Sequence, residues 1–117
     1  IEHPISALYD VAHGAGLAVV HPAYLDYICL DALPRLRRLA VRVWEVDPTG
    51  KTDEEIAREG IRRTREFFRE LGAPTTLPEL GVPEEAIDKI ADLTDLGCFS
   101  YRKLTRVDVV SILRTVL

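Results

Sequence analysis

An all-α fold, a bundle of about five to six helices, is what this sequence predicts. Apolar residues recur three and four positions apart over most of its 117 residues. Gly, Pro and Thr/Asp signals cut that pattern at intervals suited to short helices. Runs of alternating polar and apolar residues, which would mark half-buried strands, are almost lacking.

Residues 4–11 read as the end of a first helix, interrupted at Gly14 and Gly16. A second fits from Gly16 to Cys29, with Leu17, Val20, Tyr24, Leu25 and Ile28 at helical spacing. Pro22 lies inside it and predicts a kink or a restart, because proline lacks an N–H and clashes with the preceding turn. Asp31 reads as the cap of a third helix whose apolar face carries Leu33, Leu36, Leu39, Ala40, Val43 and Trp44, with Arg35, Arg37, Arg38 and Arg42 largely opposite. Asp47-Pro48-Thr49-Gly50 is a turn. Thr52 and Glu55 then form a capping box opening a fourth helix. Its predicted buried face holds Ile56, Ile61, Thr64, Phe67 or Phe68, and Leu71; Gly72 and Pro74 end it. Residues 73–82 form a loop. Pro83 opens a fifth helix, with Glu84 and Glu85 near its positive end and Ile87, Ile90, Ala91 and Leu93 or Thr94 as its core face. After Gly97 and a loop to Leu104, Thr105 with Asp108 caps a last helix carrying Val109, Ile112, Leu113 and Val116. No repeat, linker or low-complexity tract divides the chain, so residues 1–117 read as one domain.

Composition narrows the function classes. The net charge of −4 lacks the clustered Lys and Arg excess of a nucleic-acid footprint, so nucleic acid is not an expected partner. No apolar run approaches the roughly 18–20 residues of a membrane span, which excludes a spanning helix and makes a cytoplasmic location the expectation. Cys29 and Cys98 lie far apart without a CxxC and read as reduced thiols. The chain has no Met and starts within a patterned segment, so it is expected to be a piece of a longer protein.

Chemistry concentrates between His3 and Pro22. On one straight helix, residues His3 and His13 would stand roughly 15 Å apart along the axis and roughly 80° around it, too far to share an ion. Gly14 and Gly16 permit a bend, and a histidine at a bend can present a ring nitrogen to a metal. A catalytic ion takes three or more protein ligands, and the spacing here supplies no such set. On spacing alone His13 is either a ligand or a histidine held by a backbone hydrogen bond. His21, before Pro22, reads as structural or as surface.

The run His3-Pro4-Ile5-Ser6-Ala7-Leu8-Tyr9-Asp10-Val11-Ala12-His13-Gly14 resembles the C-terminal half of the iron-containing alcohol dehydrogenases. Phe67–Leu77, with its Leu71-Gly72-Ala73-Pro74 stop, resembles a later passage of that family. Gly97-Cys98-Phe99, Leu104-Thr105 and Asp108–Leu113 resemble its closing loop and helix. Ser6, where several branches have glycine, and Tyr9-Asp10 point to the butanol-dehydrogenase-like branch.

The resemblance implies a divalent metal, Fe2+ or Zn2+, held by one aspartate and three histidines. Only the last histidine falls within this chain, at His13; the others would lie upstream. His3 matches a position near the metal, which implies a catalytic, proton-relay or pocket role, or packing beside Pro4. Cys98 and Phe99 fall where relatives have a loop near the cleft, either lining a substrate pocket or packing normally. The implied reaction is hydride transfer between NAD(H) or NADP(H) and a small alcohol or aldehyde, with the nucleotide bound mainly by an N-terminal α/β domain. Gly14-Ala15-Gly16 lacks the preceding strand of a phosphate loop. The isolated chain is therefore expected to be inactive and to bind metal poorly. Apolar faces exposed around residues 1–20 are expected to favour homo-oligomers. The alternatives are a related polyol, glycerol or dehydroquinate-synthase-like enzyme, or a helical interaction module without catalysis.

Overall fold

A computed structural model of the chain describes residues 1–97 and 101–117, and its regular structure there is wholly helical. In order, α1 spans Glu2–Tyr9, α2 His13–Tyr27, α3 Leu33–Arg42, α4 Asp53–Glu70, α5 Ile87–Leu93 and α6 Arg106–Arg114. Short 3-10 turns at Pro78–Leu80 and Glu84–Ala86 lead into α5. The five to six helices that the sequence predicts are six among the described residues. None of the described helices is long and apolar enough to cross a membrane.

The break between α1 and α2 matters most for the site. Asp10 adopts the left-handed conformation, with φ 52° and ψ 37°, and stops α1. Short polar residues tolerate that region better than most L-residues. The chain turns back through Val11 and Ala12, and α2 begins at His13. The reversal is thus made before His13, not by the glycines after it; Gly14 and Gly16 both lie inside α2.

Ile5, Val19, Ile28, Ile61, Leu77, Val82, Ile90, Val109, Ile112 and Leu113 form the main core. The backbone N–H of Leu77 donates to the Val116 carbonyl at 2.7 Å, tying the loop before α5 to the C-terminus. A smaller apolar cluster of Ala40, Val46 and Ile56 joins α3 to the start of α4. There Gly60 allows the helices to touch: a Cβ on it would lie 2.6 Å from the Ala40 Cβ and 2.8 Å from its Cα.

Both predicted capping boxes form. Glu55 N–H donates to Thr52 Oγ1 at 3.2 Å, and Thr52 N–H donates to Glu55 Oε2 at 2.7 Å. Asp108 N–H donates to Thr105 Oγ1 at 3.3 Å, and Thr105 N–H to Asp108 Oδ2 at 2.6 Å. The Asp47–Gly50 turn forms as well, with Thr49 N–H donating to Asp47 Oδ1 at 3.0 Å and Gly50 at φ 70°.

Other details differ from the sequence reading. α2 runs through Pro22 without restarting; Val19, Val20, Pro22 and Ala23 are all buried, and that packing outweighs the missing hydrogen bond. Asp31 does not cap α3, whose N-cap is Ala32 with no side-chain bond; Asp31 instead lies 3.8 Å from Arg102. α3 ends at Arg42, and Glu45 at φ 53° turns the chain, so Val43 is exposed. Trp44 folds back onto α4, its Nε1–H donating to Thr64 Oγ1 at 2.9 Å. The Phe67 ring packs on Trp44 with centroids 5.6 Å apart but stays exposed, as does Leu71, and of Phe67 and Phe68 it is Phe68 that is half-buried. On α5, Thr94 is buried and Leu93 is not. Of the large exposed apolar residues described, only Leu17 falls within residues 1–20. Cys29 is a free, buried thiol, and Cys98 lies outside the described residues.

Candidate metal centre

The α1–α2 reversal brings together side chains that a continuous helix would separate. The His3 and His13 rings stack with centroids 5.4 Å apart and planes 24° from parallel. Glu2, first residue of α1, sits beneath them, and one ligand atom from each of Glu2, His3 and His13 lies within 4.8 Å of the others. Imidazole nitrogen with carboxylate oxygen is a donor set suited to Fe2+ and Zn2+. The exposed rings fit a divalent ion and leave room for ligands from elsewhere, while both Glu2 oxygens are engaged within the protein.

Glu2 is enclosed where the histidines are open. Its side chain is 4% exposed, against 57% for His13. One carboxylate oxygen, Oε2, pairs with His13 Nδ1, and the other, Oε1, accepts from the Ser6 hydroxyl. Glu2 and Ser6 are four residues apart on α1 and so share a face. His13 and Gly16, three apart on α2, meet that face. Gly16 is the residue that permits the approach, since a Cβ there would lie 2.4 Å from Glu2 Oε1.

Glu2 also forms part of the wall of an open pocket of about 240 Å3, shared with Leu17, Val20, His21, Tyr24 and Leu104. Partial desolvation lowers the pKa of His21. His21 belongs to this pocket rather than to the His3–His13 group. Phe99, like Cys98, lies outside the described residues.

Glu2 is the site residue that the sequence reading missed. A glutamate beside a histidine is unremarkable by itself. The available signal was Ser6, one turn later on the same helix face.

Fold and site together define an all-α domain with a candidate divalent-metal corner. Residues 1–117 match the C-terminal profile of the Fe-containing alcohol dehydrogenase family, and the chain belongs to that family. It is 42% identical over 119 residues to a probable NADH-dependent butanol dehydrogenase 1 of Bacillus subtilis, covering 100% of this chain and 31% of that one. Against the NADH-dependent butanol dehydrogenase A of Clostridium acetobutylicum, identity is 40% over 92 residues, covering 78% of this chain and 23% of the relative. The crystal structure of NADH-dependent butanol dehydrogenase A from Thermotoga maritima superposes with a TM-score of 0.87 at 36% identity, covering 98% of this chain and 31% of that one. The chain thus spans at most about a third of the length of these relatives. The resemblance to the butanol-dehydrogenase-like branch agrees with them.

Proposed function

We propose that this chain is the metal-binding helical part of an NAD(P)-dependent alcohol dehydrogenase that interconverts alcohols and aldehydes by hydride transfer. The observation that carries the reading is the approach of His13 to His3 and Glu2, on the segment whose resemblance to the family implies its last metal-binding histidine. The similarity to NADH-dependent butanol dehydrogenases supports a small alcohol or aldehyde as substrate and a nicotinamide as hydride carrier. When bound, a divalent ion supplies a Lewis acid for the substrate oxygen, and the nicotinamide gives or takes the hydride.

The residues of this chain then have separate roles. His13 holds one position of the ion through its exposed ring. His3, stacked on it and open to solvent, would take or return the hydroxyl proton. The remaining ligands and the nucleotide site are assigned to other parts of the enzyme, because the described residues offer no further metal-ligating group at this cluster.

The test uses the whole encoded polypeptide, with bound metal measured by elemental analysis and turnover by alcohol-dependent NAD(P)H formation. His13→Ala is expected to lose both metal and activity. His3→Ala is expected to keep the metal and lose mainly turnover. A His13→Ala protein with parental metal content and rate would overturn the proposal.

A further inference from the structure

We infer that Glu2 is the positioning residue for His13: its buried carboxylate holds Nδ1 and thereby presents Nε2 outward as the metal-ligating atom. The inference rests on the reading of His13 as a ligand and assigns the residue that orients it.

Several observations converge. Glu2 is buried while the ring it holds is exposed, so the contact lies on the protein side of the imidazole and the opposite ring edge faces outward. The carboxylate can only accept from Nδ1–H, which selects the tautomer whose Nε2 lone pair is free. Ser6 donates to the second oxygen, so the carboxylate is anchored at both ends and cannot turn toward an ion without giving up a bond. Gly16 leaves the space the carboxylate occupies, and a side chain there would expel it. His3 stacks on the ring's face, which limits its tilt. Carboxylate partners of this kind orient metal-bound imidazoles and raise their basicity. Ser6, the departure from the glycine of several branches, thus gains a purpose, because it fixes the group that fixes the ligand.

The experiment measures metal affinity, not turnover. The whole encoded polypeptide is stripped of metal and titrated with Zn2+, and separately with Co2+, against a competing chelator. Glu2→Gln keeps the size of the side chain and removes its charge. It is expected to weaken binding by about 10–100-fold while the metal-free protein still folds and melts cooperatively. Ser6→Ala is expected to shift affinity in the same direction by less. Parental affinity in Glu2→Gln, alongside loss of metal in His13→Ala, overturns the positioning role and leaves the ligand reading intact. Parental affinity in His13→Ala overturns both. A Co2+ absorption spectrum that reports one ligand fewer in Glu2→Gln makes Glu2 a ligand itself and overturns the inference as stated.

Discussion

Replacing Gly16 by alanine sets two opposing effects against each other. Alanine within a helix is favoured over glycine by about 0.5–1 kcal/mol. The new methyl, however, would lie 2.4 Å from Glu2 Oε1, 2.7 Å from Cγ and 2.9 Å from Cδ, so the whole carboxylate end must move. That displacement breaks its bonds to Ser6 and His13. Hydrogen bonds to a charged group contribute about 1.5–3 kcal/mol each. Even partial loss outweighs the helix gain, so a net destabilisation of about 1–3 kcal/mol is expected. Gly14→Ala is the internal control: a Cβ there meets no atom within 4 Å, so it should be neutral or stabilising by up to about 1 kcal/mol. Urea denaturation of both variants gives the stabilities, and chelator competition gives the metal affinities. Gly16→Ala should lose affinity. If it proved as stable as Gly14→Ala and bound metal as the parent does, Glu2 would not occupy the position described.

Gly60→Ala should destabilise by about 1–3 kcal/mol in the same denaturation assay, because its methyl would meet Ala40 backbone, which cannot swing aside, and α3 must part from α4. Asp108 is held down to a pKa of about 2, first by the Tyr27 hydroxyl and then by the Thr105 N–H and hydroxyl, and its side chain is 13% exposed. Its unfolded value is 3.8, so it should contribute about 2 kcal/mol that is complete above pH 4 and lost as pH falls through about 2; Asp108→Asn should remove this acid limb of a stability–pH profile. The same bond raises the pKa of Tyr27, so that side of the pair contributes below pH 10 and is lost as pH rises above it.

Local signals made most of the fold legible. Thr52-x-x-Glu55 and Thr105-x-x-Asp108 state their helix starts within four residues, and both boxes form. Gly72 takes positive φ at the end of α4, as its position before Pro74 implies. The departures arise where distant packing decides. Nothing near Pro22 says that buried neighbours will carry α2 through it, and nothing near Phe67 says that its partner Trp44 lies beyond the end of α3. Apolar spacing identifies a face but not the length of the surface that will cover it. The reading of His13 as a ligand comes only through resemblance, since its spacing from His3 excludes a shared ion on a straight helix. Asp10, an ordinary residue in the sequence, makes the reversal that removes the difficulty.

On the proposed reading, orientation of the His13 ring is a local property, although completion of the site is not. Glu2, Ser6, His13 and Gly16 all lie within one helix–turn–helix, and their contacts need no other element. A short closed loop costs little entropy, so this corner can be set before distant groups arrive. The exposed edges of His3 and His13 are what those groups would meet. By contrast, Ala40, Val46 and Ile56 form an apolar cluster apart from the main core, which contains Ile5 and Val19. Loosening α3 at Gly60 thus lowers stability without touching the carboxylate that holds His13. Crowding Gly16 acts on that carboxylate first. The two glycines have the same steric reason to be glycine, yet one serves the assembly of the helices and the other the aim of a single imidazole.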